Sequence, residues 1–169
     1  MNQTLVLPIV IKLKEALIMI INCYDLLKDD DGFPYLLLRK TESSRITKVS
    51  EAVEFAIDHY NLRSQFEEYV ILLALDSSMR VKGIFEISHG GFQQAFCGLK
   101  ETFSRLLLVG ASCFIVMHNH PSGRGRESDD DFRMFKRLEE ASKMMDIKLL
   151  DFIIVGDDIN SFAERGLLT

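Results

Sequence analysis

Apolar and polar positions change period several times along the chain, and each change predicts an element. Leu13, Leu17, Ile20, Ile21 and Tyr24 recur at helical spacing, which predicts an amphipathic helix closing near Leu27. The acidic, glycine-containing stretch Lys28 to Phe33, followed by Pro34, predicts a loop, with the domain proper starting at about Tyr35. Tyr35 to Arg39 has the length and apolarity of a strand. Ser50, with Glu51 and Glu54 behind it, marks the capped, acid-rich start of a helix whose buried stripe is Val53, Ala56, Ile57 and Tyr60. Tyr69 to Leu75 is an almost unbroken apolar run, the mark of a strand covered on both faces. A turn over Asp76 to Met79 returns the chain as an antiparallel partner, Val81 to Ile87, and Gly90 and Gly91 end the pattern. A helix over Leu99 to Val109, a buried strand over Cys113 to Met117, an amphipathic helix over Asp129 to Met144 and a last strand over Ile147 to Val155 complete the series. The predicted class is α/β with a mixed, largely central sheet. The predicted organisation is an N-terminal helix and loop in residues 1–34 and one domain in residues 35–169.

Composition narrows the function classes. A chain of 169 residues is long enough to bury a core without disulfide or metal staples, and its 47% hydrophobic and 27% charged residues are those of an ordinary globular protein. A formal charge of -5 and a pI near 5.4 give no global attraction to nucleic acid or anionic lipid, so direct nucleic-acid binding is not expected. Cys23, Cys97 and Cys113 are odd in number and far apart, which predicts neither a disulfide framework nor a cysteine zinc site and suits a reducing cytoplasm. Lys12, Lys14 and Glu15 interrupt the apolar run Leu5 to Ile21, so no membrane span and no secretion signal is expected there.

The chemistry concentrates in the segment from Met117 to Asp131. His118 and His120, one residue apart at a strand end, point to one face because side chains alternate with period two, and their imidazoles can share a metal ion. Pro121 cannot continue a sheet ladder and Ser122-Gly123 supplies turn residues, so the pair opens into a loop. Ser128 is a plausible N-cap for the following helix, which sets Asp131 in its first turn. Two histidines and a carboxylate are the three-ligand set of catalytic zinc, with a fourth position left for water. A separate carboxylate must then carry the proton, and Glu68, at the start of the apolar strand, is the candidate, with Glu67 its rival. Plainer readings stand beside these: a hydrogen-bonded histidine pair, Asp131 as the reciprocal partner of Ser128 in a capping box, and Glu68 as a solvated residue at a strand mouth. His59, His89, Asp129 and Asp130, and the small basic loop of Arg124 and Arg126, read as ordinary polar residues.

His118-x-His120-Pro121, then six residues to Ser128 and two more to Asp131, resembles the JAMM motif of the JAB/MPN metalloprotease superfamily. His-Asn-His-Pro-Ser-Gly, the strand Glu68 to Asp76 and the closing Ser161-Phe-Ala-Glu-Arg-Gly-Leu167 resemble its bacterial RadC family, over roughly Ile46 to the C-terminus. The resemblance implies a cytidine-deaminase-like α/β/α fold and zinc on His118, His120 and Asp131. It also implies Glu68 as general acid and base, Ser128 as a donor steadying the tetrahedral intermediate, and hydrolysis of peptide or isopeptide bonds. Gly98-Leu99-Lys100-Glu101 stands where the family more usually has His-Pro-Arg-Glu, and Arg124-Gly-Arg-Glu127 stands where it has an acidic, proline-containing loop. Residues 1–45 show no glycine-punctuated helix-hairpin-helix pattern, so the family's association with DNA repair transfers poorly to this chain.

The expected function is therefore a zinc-dependent peptidase or isopeptidase acting on an extended peptide or protein segment laid along a sheet edge. A DNA-repair or mobile-element accessory protein, with the metal domain recruited by a partner, is the first alternative, and a non-catalytic binding module the second. The N-terminal helix is a possible homo-oligomer contact.

Overall fold

The fold of this chain, a computed structural model, is described for residues 21–28, 34–42, 45–90 and 97–168, the first two stretches as backbone alone. Strands β1 (Ile21–Lys28) and β2 (Pro34–Glu42) form an antiparallel two-stranded sheet, with Ile21 opposite Glu42 and Lys28 opposite Pro34. The helix expected to close near Leu27 is therefore absent over residues 21–27. Its apolar spacing there covers barely one turn, and pairing with β2 satisfies across the hairpin the backbone groups that a helix would satisfy internally. The rest of that expectation, residues 1–20, lies outside the described residues.

The remaining elements follow in the order α1 (Val49–Tyr60), β3 (Glu68–Leu75), β4 (Val81–Gly90), α2 (Leu99–Val109), β5 (Cys113–Asn119), α3 (Asp129–Met145), β6 (Lys148–Val155) and β7 (Ile159–Ser161). Ser50 does not cap α1, which begins one residue earlier. Instead Glu51 reaches back to accept hydrogen bonds from the Thr47 N–H at 2.6 Å, the Thr47 hydroxyl at 2.9 Å and the Lys48 N–H at 3.2 Å. Between β3 and β4 the Asp76 carboxylate closes the expected turn, accepting from the amides of Ser78 and Arg80 at 2.8 and 3.0 Å.

Five strands make the main sheet in the order β4-β3-β5-β6-β7, with β3 antiparallel to both neighbours, β5 parallel to β6, and β7 antiparallel at the edge. Alternation divides its side chains between two cores. Ile71, Leu73, Leu75, Ile115 and Met117 pack with Ala52, Val53 and Ala56 of α1. Val70, Leu72, Ala74, Phe114 and Val116 pack on the other face with Phe103 and Leu106 of α2 and Phe135 and Leu138 of α3. The arrangement is an α/β/α sandwich. Every residue of β5 is buried, because β5 lies between two strands and under helices on both faces.

The chain after β6 is fastened by one buried carboxylate and one aromatic cluster. Asp151 accepts from the Ser161 hydroxyl at 2.5 Å, the Phe152 amide at 2.8 Å and the Ala163 amide at 2.9 Å. Phe162 inserts against Phe135 and Phe152, with ring centroids at 4.9 and 5.1 Å. Replacing Asp151 by alanine would remove the partner of all three donors, two of them on the buried residues Phe152 and Ser161, and urea unfolding is expected to show a loss of about 2 to 4 kcal/mol.

Candidate metal centre

The same alternation that divides the core selects the side chains of the site. Even-numbered positions of β3 and β5 face α2 and α3, so Glu68 and His118 emerge on the side from which α3 approaches, while Glu67, Tyr69 and Asn119 fall on the opposite parity. The β3–β5 register ends with Val70 opposite His118, two residues from Glu68 on one strand and two from His120 on the other. Glu68, His118 and His120 each offer a ligand atom, and these atoms lie within 4.8 Å of one another. Among the described residues this group can hold a metal ion.

Asp131 enters from α3. Ser128 is the N-cap: its hydroxyl accepts from the Asp131 amide at 3.1 Å, and Asp131 Oδ2 accepts in return from the Ser128 amide and hydroxyl, both at 2.7 Å. The capping box and the approach to the histidines are not alternatives, since the same carboxylate makes both. Its Oδ1 lies 3.2 Å from His118 Nε2 and its Oδ2 3.3 Å from His120 Nε2. Burial disfavours the ionised Asp131, but its hydrogen bonding with His118, His120 and Ser128 prevails and holds the carboxyl far below the usual carboxylate range. Asp131 also raises the pKa of His120, opposed by burial and assisted by the Arg124 carbonyl.

The far side of each ring decides what the near side can do. His120 Nδ1 lies 2.6 Å from the Arg124 carbonyl and His118 Nδ1 a longer 3.4 Å from the Tyr69 carbonyl. A carbonyl only accepts, so Nδ1 is the donor, and in the neutral ring Nε2 then presents a lone pair. In that neutral form both Nε2 atoms face the Asp131 oxygens acceptor against acceptor, whereas a protonated ring donates the hydrogen bonds that depress the Asp131 carboxyl. That contact is favourable only with a proton or a cation between them, and a ring held through its other nitrogen is the common outer support of a metal-ligating histidine.

Several supporting residues carry no motif. The segment after His120 lies against the β6–β7 turn with almost no space between the two backbones. A Cβ on Gly156 would come within 2.6 Å of the Gly123 carbonyl oxygen, and one on Gly125 within 2.7 Å of the Asp158 carbonyl oxygen. Asn160 donates to the Gly125 carbonyl at 2.9 Å and to Glu127 at 3.0 Å, and Arg165 grips Glu127 through both guanidinium nitrogens at 2.7 and 2.8 Å. Arg165 and Asn160 hold the Glu127 carboxyl down at about 2. Thus Glu127, in the stretch where the RadC pattern has a proline-containing loop, takes part in an ion-pair clamp. Asn119, between the histidines, is buried, accepts from the Tyr69 amide at 2.6 Å and donates to the Glu67 carbonyl at 3.1 Å. A polar residue inside an apolar strand was the one sequence signal that could have singled it out.

His89 bonds to Glu86 at 2.6 Å and stacks on Tyr69, His59 bonds the Phe55 carbonyl at 2.8 Å, and Asp130 pairs with Arg133. Arg124, Arg126 and Asp129 are exposed.

Fold and site together define an α/β/α domain with a histidine, histidine and carboxylate cluster at the end of its central strand. The family profile described as RadC-like JAB domain matches residues 46–167, and the chain belongs to that family. It is 38% identical over 111 residues to a UPF0758 protein of Pelobacter propionicus, covering 65% of this chain and 48% of that one. A UPF0758 protein of Geotalea uraniireducens is 35% identical over 132 residues, 77% of this chain and 57% of its own length. One from Stenotrophomonas maltophilia is 40% identical over 111 residues, 65% of this chain and 47% of its own. The chain thus spans about half the length of the curated relatives it matches. No helix among the described residues is long and apolar enough to cross a membrane.

Two outcomes follow from the supports. Gly156→Ala is expected to cost about 1 to 3 kcal/mol by overpacking against the Gly123 carbonyl, measured by urea unfolding. Because the Glu127 carboxyl is depressed in the folded state, its clamp stabilises fully above the ordinary value of 4.5 and is lost as the pH falls toward about 2. The urea midpoint of the wild type should therefore drop more steeply over that window than that of Arg165→Met.

Proposed function

We propose that this domain is a zinc-dependent hydrolase of peptide or isopeptide bonds. The observation that carries the reading is the convergence of two imidazole Nε2 atoms on the Asp131 carboxylate, with each Nδ1 directed at a backbone carbonyl and the Glu68 carboxylate beside the pair. The donor chemistry fits zinc: neutral imidazole nitrogens and one carboxylate oxygen, three protein donors of the kind that leave a coordination position open. Glu68, His118 and His120 also form a ligand-like group, but Asp131 stands on the lone-pair side of both rings. We therefore assign His118, His120 and Asp131 as the ligands and Glu68 as the group that moves protons.

Zinc bound there would supply Lewis acidity, polarising the substrate carbonyl and lowering the pKa of a water molecule to about 7. His118 and His120 hold the centre against the end of β5, and Asp131 ties it to the first turn of α3. A Glu68 carboxylate oxygen accepts the proton of the attacking water and returns it to the departing amine nitrogen. The Ser128 hydroxyl sits at the exposed rim of the centre and, on turning from Asp131, can donate to the oxygen on which negative charge develops. The buried end of β5 behind these groups keeps bulk water from their inner side.

Purification without chelator, followed by metal analysis, is the decisive test. About one zinc per chain in the wild type, absent from His118→Ala and Asp131→Ala, is the expected result. Glu68→Gln should keep the metal and lose roughly 10²- to 10⁴-fold in turnover of any peptide or isopeptide substrate found by screening. A well-folded wild type that takes up no zinc when it is supplied would overturn the proposal.

A further inference from the structure

We infer that Asn119 is the positioning residue for Glu68, a role that rests on the proposed hydrolase reading for what Glu68 does there. Main-chain pairing between β3 and β5 runs from Leu75 opposite Cys113 to Val70 opposite His118 and stops. Past that pair β5 remains hydrogen-bonded along its other edge to β6, where Asn119 pairs with Val155 and the His120 amide donates to the Val155 carbonyl at 3.0 Å. The mouth of β3, which carries Glu68, has lost its main-chain partner on that side. The Asn119 side chain replaces it. Its Nδ2 donates to the Glu67 carbonyl at 3.1 Å and its Oδ1 accepts from the Tyr69 amide at 2.6 Å, so one carboxamide brackets Glu68 as a peptide group in a ladder would.

The placement has a consequence for the site. His118 Nδ1 lies 3.4 Å from the carbonyl of the same Tyr69, so consecutive residues of β5 engage both polar groups of one β3 residue. Asn119 is 2% exposed and each end of its amide has a partner of the right sense, which fixes its orientation. The Glu68 carboxylate is thereby set in register with the histidines by the residue between them. Ligands come from β5 and α3 and do not depend on this bond; the height of Glu68 over them does.

The test compares the wild type with Glu68→Gln, Asn119→Ala and the double variant, each shown by urea unfolding to be folded and each loaded with cobalt(II) as a spectroscopic substitute for zinc. Asn119→Ala is expected to bind cobalt within about 3-fold of the wild type, unlike the roughly 10- to 100-fold loss that follows when a histidine loses its outer support. Its visible spectrum should move in the direction of Glu68→Gln, and the double variant should match Glu68→Gln alone. Hydrogen exchange at the Tyr69 amide should be roughly 10-fold faster in Asn119→Ala and unchanged in Glu68→Gln. A wild-type spectrum in Asn119→Ala, additive effects in the double variant, or unchanged Tyr69 exchange would overturn the inference. Failure of the wild type to bind any metal would overturn the hydrolase reading, and Tyr69 exchange, measured without metal, would still decide whether Asn119 holds the strand mouth. If Asn119→Ala does not fold, Asn119→Asp, which keeps the Tyr69 bond and loses the Glu67 bond, should speed exchange across Glu67 to Tyr69 by a smaller factor, and no change would overturn the inference.

Discussion

The burial of β5 is the constraint on which the site depends. Seven consecutive residues, Cys113 to Asn119, lie out of solvent between β3 and β6 and between two helical layers. Any polar group at the end of such a strand must find partners in the protein, since water cannot supply them. His118 turns to Tyr69 and Asp131, and Asn119 to Glu67 and Tyr69. The chemistry of the domain is what a buried strand does with its polar end.

Three structural layers contribute to that end for different reasons. Strand β3 brings Glu68 by parity and register. Helix α3 brings Asp131 because its N-terminus needs a cap and tolerates acid: Asp129, Asp130 and Asp131 all stand in its first turn, favoured by the positive end of the helix dipole. The chain after β6 adds no residue to the cluster among the described residues, but its glycine contacts and the Asn160, Arg165 and Glu127 network hold the loop whose Arg124 carbonyl orients His120. Membership in the RadC-like JAB domain family agrees with this division, since the matched residues 46–167 include all three contributors.

An ion pair beneath a loop and a proline within it restrict backbone freedom by different means. The proline acts through covalent geometry, whereas the Glu127–Arg165 contact depends on the C-terminal segment being docked. In this chain the loop beside the histidines is therefore tied to the fold's last residues, themselves fastened by Asp151 and Phe162. Docking of the C-terminus and orientation of His120 are parts of one packing unit.

The sequence by itself determined the elements whose pattern is long and one-signed: the apolar runs of β3, β5 and β6, the stripes of α1 and α3, and the histidine spacing at a strand end. It placed Ser128 and Asp131 in a helix start because capping is local chemistry. It did not determine β1, where one turn of helical spacing yielded to pairing with a partner strand, nor the start of α1, where Glu51 rather than Ser50 satisfies the first amides. Tertiary structure alone decided that β3 and β5 are neighbours and in what register, and so that Glu68, rather than Glu67, shares a face with His118. It also decided that Asn119, Gly156 and Arg165 support the site. The physical reason is that these roles arise from contacts between residues far apart in the chain, such as Asn119 with Tyr69, Gly156 with Gly123 and Arg165 with Glu127, and no local periodicity encodes them.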